Sequence, residues 1–306
     1  MEAFEFPLYD TCNLIQSDLA ADTLASSLEL ARCYELLFSR TNPASELFQV
    51  NAHAGSTVSV SRQLAELVSD ALGYCEESGG LFDITMGTAV RLWNFKAKTL
   101  PDKRLLADAV GHVGYETISC TPASIRIGDP DASIDLGGIA KGWIADGILD
   151  WLEQAGGRHN LVNLGGNVAV RGGKENGSPW RIGLRQPAPS SETPSQSSFA
   201  VIEIDSGSVV TSGIYERAFE CNGSVYHHIL DPSTGMPART DVVSASVVSK
   251  RSLDGDGYST ALILMGADRA LQFAEAHPRI EAVLVTDEGD VLATSGIGRD
   301  YAFRML

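Results

Sequence analysis

Between residues 17 and 40 the chain reads SDLAADTLASSLELARCYELLFSR, with Leu19, Leu24, Leu28, Ala31, Leu36 and Leu37 at helical spacing. This predicts a long amphipathic helix whose start Ser17-Asp18 could cap. SRQLAELVSDALGYCEE, residues 61–77, predicts a second helix that again opens on a serine. From about residue 116 the period shortens, and ETISC, SIRIG and ASIDL read as strands. GWIADGILDWLEQAG returns to a helical pattern and stops at Gly156-Gly157. HNLVNL, NVAVRG, WRIGLR, AVIEI, SVVT, YHHIL and VSASVVS then predict strands, followed by a helix at about 256–276. AVLVTDEGDVLATS predicts a closing hairpin that turns at Glu288-Gly289. Residues 186–199, QPAPSSETPSQSSF, read as an exposed loop. Helices gather early and strands late, with no repeat and no clear linker, so the pattern predicts an α+β fold and one domain over 1–306.

Composition narrows the function classes. The net charge of −16 argues against nucleic acid as a partner, because phosphate binding normally brings a basic patch. An acidic chain that binds a phosphorylated ligand needs local help from a helix N-terminus, a lysine or a divalent cation. The five cysteines show no CxxC spacing, and their odd number argues against a disulfide framework. MEAFEFPLYD carries acids where a signal peptide carries lysines, and no run approaches a membrane span. The expectation is a cytoplasmic protein with no membrane anchor.

Several polar, glycine-rich interruptions sit at element ends. In DLGGIAKG, Gly137 and Gly138 permit a tight turn, and free amides near Lys141 suit an anion. Asp135 would accept from a ligand or cap the helix, and an Asp-capped turn with an exposed lysine explains the stretch as well. VYHHILDPSTG places two histidines on a β-like run, facing opposite ways, before a turn. SLDGDGYSTALILMG spaces Asp256 and Thr260 at i, i+4, so on a helix they share a face and suit a hard cation such as Mg²⁺; a helix cap is the other reading. GGLFDIT, NLGGN and VVTSGIYERAF have a similar character. Together these corners look built around one large ligand.

Their order and wording resemble the ApbE family, the FAD:protein FMN transferases: GLFDIT with LW, DLGGIAKGWIAD, NLGGN, TSGIYER, YHHILDPSTG, then D-x-x-x-T-ALILMG. The likeness runs from about Ser45 to Gly266. It implies a T-fold-related α+β architecture of mixed sheet layers packed with helices, with a ligand cleft between two interleaved lobes. It implies that FAD is the substrate and Mg²⁺ the cofactor. FMN would pass through a phosphoester to a threonine of an acceptor protein, releasing AMP. On matching positions, Leu81, Phe82, Asp83, Asp135, Lys141 and Leu230 would contact the flavin nucleotide. The metal would be held by the Gly138 carbonyl, Asp256 and Thr260, and His228, rather than His227, would deprotonate the acceptor. A Mg²⁺-dependent FAD pyrophosphatase and a non-catalytic FAD-binding protein are the alternatives. Two departures stand out: YDTCNL replaces a glycine-threonine pair near the N-terminus, and Gly257 replaces a usual alanine, which would loosen the helix start.

Overall fold

Along the strand Val242–Ser249 nearly every side chain is buried, on both faces. A strand of that kind needs a layer above and a layer below. It lies inside an eight-stranded sheet whose neighbours follow chain order: Glu2–Leu8, Thr11–Ser17, Asn160–Leu164, Asn167–Arg171, Gly207–Gly213, Val242–Ser249, Ile280–Thr286 and Val291–Ala293. Every pairing in it is antiparallel. The structure is a computed structural model and describes residues 1–9, 11–187 and 197–306.

Successive residues of these strands face different cores, as a period of two requires. Val162, Val247 and Leu284 pack with the helices. Leu161, Val248 and Val283 pack against a three-stranded sheet of Trp180–Arg185, Ser198–Ile204 and Ala302–Met305. The helices are α1 (Ala21–Phe38), α2 (Glu46–Ala52), α3 (Arg62–Glu77), α4 (Gly87–Val90), α5 (Lys103–Val110), α6 (Ala140–Gln154), α7 (Ser252–Met265) and α8 (Ala267–Ala276). A third apolar cluster, with Met86, Trp93, Leu106, Phe219 and Leu230, joins the 80–110 region to the hairpin of Ala218–Cys221 and Ser224–His227.

Helix α7 is the axis of the helical layer, with only Thr260 and Leu264 not fully buried. Its glycines permit that depth. A Cβ on Gly255 would stand 2.4 Å from Val210, and one on Gly257 would stand 2.6 Å from the Tyr74 ring. The glycine at 257 therefore does not merely loosen the helix; it admits an aromatic ring.

The expected strands at HNLVNL, NVAVRG, WRIGLR, AVIEI, SVVT and VSASVVS form. The one expected at ASIDL does not. Ala132, Ile134 and Leu136 are buried alternately, which mimics a strand. However, the Ile134 amide and carbonyl both bond the Asn51 side chain, and Ser133 makes only an isolated bridge to Met86. The expected 256–276 helix is two helices. It begins at Ser252 and breaks at Gly266, whose φ of 75° ends α7 while Asp241 accepts the Ala267 N–H. Helix α1 starts at Ala21 without a side-chain cap, because Ser17 ends a strand and Asp18 accepts from Arg158 and His159 instead. In YHHIL the strand stops at His227. Residues 188–196 of the expected 186–199 loop lie outside the described residues. No helix among the described residues is long and apolar enough to cross a membrane.

Candidate active site

The segment before α6 is a tight turn. Asp135 accepts the Gly137 N–H at 2.8 Å, and Leu136 accepts the N–H groups of Ile139 and Ala140. Asp135 also pairs with Arg40 at 2.8 Å, so its carboxylate is already met by a cation from the end of α1. Arg40 in turn forms one wall of a depression of about 320 Å³, shared with Asn51, Arg91 and Ser133. Lys141, Asp256, Thr260 and His228 do not line it. Lys141 donates to the Gly137 carbonyl at 3.4 Å and makes no salt bridge among the described residues.

Helix α7 brings Asp256 to this turn. The carboxylate is buried and accepts the Gly142 N–H through Oδ2 at 2.6 Å. Among the described residues no basic side chain pairs with it and Oδ1 accepts no hydrogen bond. A buried carboxylate without a counter-charge is costly unless it meets a cation. Thr260 lies one turn further on the same face, its hydroxyl 3.3 Å from that of Ser212, which is 2.8 Å from Ser259. The Asp256 carboxylate and the Thr260 hydroxyl are oxygen donors of the kind a hard cation such as Mg²⁺ takes.

Asp254, two residues earlier, points away. It accepts from Tyr74 at 2.7 Å and Arg279 at 3.0 Å, fastening α7 to α3 and to the start of Ile280–Thr286.

The Leu81–Asp83 corner meets the turn from the other side. The Phe82 ring is buried, and a Cβ on Gly138 would lie 3.3 Å from it. Asp83 is not a free carboxylate. Its Oδ1 accepts from the Thr85 amide and hydroxyl, its Oδ2 accepts from the Tyr115 amide, and burial raises its pKa. It braces the loop that carries Phe82. Leu81 is half-buried against the main core, and Leu230 is buried beside Trp93 and Met86.

The two histidines differ in their surroundings. His227 turns inward and donates from Nε2 to the Ala238 carbonyl at 3.2 Å. His228 lies just past the strand end, its amide donating to the Arg217 carbonyl. Its Nδ1 is shut off from solvent and has no partner. Burial, reinforced by the Arg217 cation, His227 and Lys141, pushes its pKa down to about 4. At neutral pH the ring is uncharged and can accept a proton.

Glu216 went unnoticed in the sequence. It follows the strand Gly207–Gly213 on an exposed stretch and lies close enough to Lys141, Arg185, Arg217 and Asp256 for each to act on its carboxyl. An acid in TSGIYER was visible, but nothing local placed it beside α6 and α7.

The sequence profile of the ApbE family matches residues 9–284. The chain belongs to the ApbE family. It is 34% identical over 281 residues to the FAD:protein FMN transferase of Treponema pallidum, covering 86% of this chain and 76% of that protein. It is also 34% identical to the Klebsiella pneumoniae enzyme of the same name, over 90% of this chain and 85% of that one. The ApbE protein of Thermotoga maritima superposes with a TM-score of 0.86 at 28% identity, covering 96% and 97% of the two chains. The layered α+β architecture is thus the ApbE fold.

Proposed function

We propose that this ApbE protein cleaves the pyrophosphate of FAD and attaches FMN through a phosphoester to a threonine of an acceptor protein, releasing AMP. The supporting observation is the hydrogen bond from Gly142 to Asp256, which fixes how α6 and α7 pass each other. Gly142 faces Asp256 and Asp146 faces Ser252. Gly138 lies in the turn two residues before α6, and we take its carbonyl as the third ligand. That is the proposed cation set: the Gly138 carbonyl, the Asp256 carboxylate and the Thr260 hydroxyl. When bound there, Mg²⁺ would offset charge on the pyrophosphate oxygens.

The chain's own groups supply the rest. Lys141, which makes no salt bridge among the described residues, is the cation we assign to phosphate oxygens that gain charge as the bond breaks. Asp135, anchored by Arg40, and Phe82, held by the Asp83 loop, shape the flavin nucleotide side, with Leu81 and Leu230 behind them. His228 is the base that takes the proton of the acceptor hydroxyl. Its low pKa keeps it ready but weak. A bound polyanion near Lys141 and Arg217 would cancel part of their field and raise its basicity.

The test is incubation with FAD, Mg²⁺ and a threonine-bearing acceptor peptide, read by mass. A peptide heavier by one FMN supports transfer. Free FMN and AMP with an unmodified peptide would make the protein a hydrolase, and intact FAD would leave it a binding protein.

A further inference from the structure

Helices α6 and α7 cap each other. Neither has a side-chain cap of its own: Ile139 precedes α6 and Arg251 precedes α7, and neither side chain bonds the first turn. The free amides there need acceptors. Asp256 of α7 supplies one for α6 by accepting from Gly142. Asp146 of α6 supplies two for α7, accepting the Ser252 N–H through Oδ1 at 2.9 Å and the Leu253 N–H through Oδ2 at 3.1 Å. Gly142 makes this exchange possible, since a Cβ on it would stand 2.5 Å from the Ser252 carbonyl oxygen.

We propose that Asp146 is a positioning residue for the cation site, holding the first turn of α7 so that Asp256, one turn on, keeps its free oxygen aimed at the metal. This rests on the cation set argued above. Asp146 touches no proposed ligand and acts only through the helix. Its bidentate grip fixes both the rotation and the height of α7, whereas a single acceptor would fix neither fully.

Its surroundings support a role beyond stability. Arg251 and Arg171 are the cations that attract it, yet burial outweighs them and lifts its pKa to about 6. The charged form is therefore tolerated at neutral pH rather than favoured by its site. Asp146→Asn would relieve that burial and keep one acceptor oxygen, so the fold should persist while the two-point grip is lost.

The experiment titrates Mn²⁺ into the FAD-loaded protein and reads free Mn²⁺ by electron paramagnetic resonance. Asp146→Asn should weaken Mn²⁺ binding about tenfold, the scale of losses when groups that orient metal ligands are changed. Its metal-free FAD affinity and thermal midpoint should stay near wild type. A purely structural role gives the reverse, a lower midpoint with unchanged Mn²⁺ affinity. Asp256→Asn separates the two claims. If it loses Mn²⁺ while Asp146→Asn does not, the positioning role is overturned. If Asp256→Asn itself binds Mn²⁺ normally, the cation set fails. Hydrogen exchange on the wild-type protein tests the same coupling without any variant. Because linkage is reciprocal, Mn²⁺ must slow exchange at the Ser252 and Leu253 amides. Unchanged exchange at saturating Mn²⁺ overturns the inference.

Discussion

The Gly142 amide donates to the Asp256 carboxylate at 2.6 Å across 114 residues of sequence. One bond thus joins the turn that carries Lys141 to the helix that carries Thr260. It also commits one carboxylate oxygen to the protein, while the other accepts no hydrogen bond among the described residues. The glycine is required at this contact, because the α7 backbone occupies the space of any side chain.

Gly142→Ala should therefore force the two helices apart. Overpacking of this kind typically costs about 1–3 kcal/mol. Urea unfolding should report that loss, and Mn²⁺ affinity should fall with it. A variant of unchanged stability would mean the crossing can relax without cost.

Two other glycines should respond in opposite directions. Gly73 lies inside α3 with no atom near the place of a Cβ, so Gly73→Ala should stabilise by up to about 1 kcal/mol through helix propensity. Gly257→Ala gains the same propensity but drives a methyl into Tyr74, which Asp254 and Tyr258 hold in place. It should destabilise by about 1–2 kcal/mol net. Equal midpoints for the two variants would contradict the packing described.

His228 gives a pH prediction. Its folded pKa of about 4 lies below the usual histidine value, so the unfolded chain binds more protons between about pH 4 and 6.5. Its contribution to stability is therefore lost as pH falls through that window. Asp146, raised to about 6, works in the opposite sense, favouring the folded state as pH falls. His228→Ala should remove the first slope and expose the second. Histidine NMR should find the His228 ring neutral at pH 5, and a charged ring there would reject the assignment.

Much of this arrangement was legible in the chain. The i, i+4 spacing of Asp256 and Thr260 put both on one helical face. Local pattern failed where a partner came from far away. ASIDL alternates like a strand, but its backbone groups are satisfied by Asn51 and Ile84 rather than by a neighbouring strand. The Arg40–Asp135 pair, the Asp146 cap and Glu216 join distant segments, and no spacing encodes them. The strands Glu2–Leu8 and Thr11–Ser17 were missed because the link between them, Tyr9-Asp10, carries neither the glycine nor the asparagine that marks a hairpin.

The central claim is that the oxygens gathered where α6 crosses α7 hold the cation that makes FAD reactive. The most direct measurement is the initial rate of FMN release or transfer from FAD against Mg²⁺ concentration, for wild type and Asp256→Asn. The asparagine keeps an acceptor for the Gly142 amide, so the fold should survive. Wild type should show a saturable Mg²⁺ dependence, and the variant should lose at least about a hundredfold in rate at any Mg²⁺ concentration, about 2.7 kcal/mol of barrier. An Asp256→Asn protein with the wild-type rate and the wild-type Mg²⁺ midpoint would contradict the account.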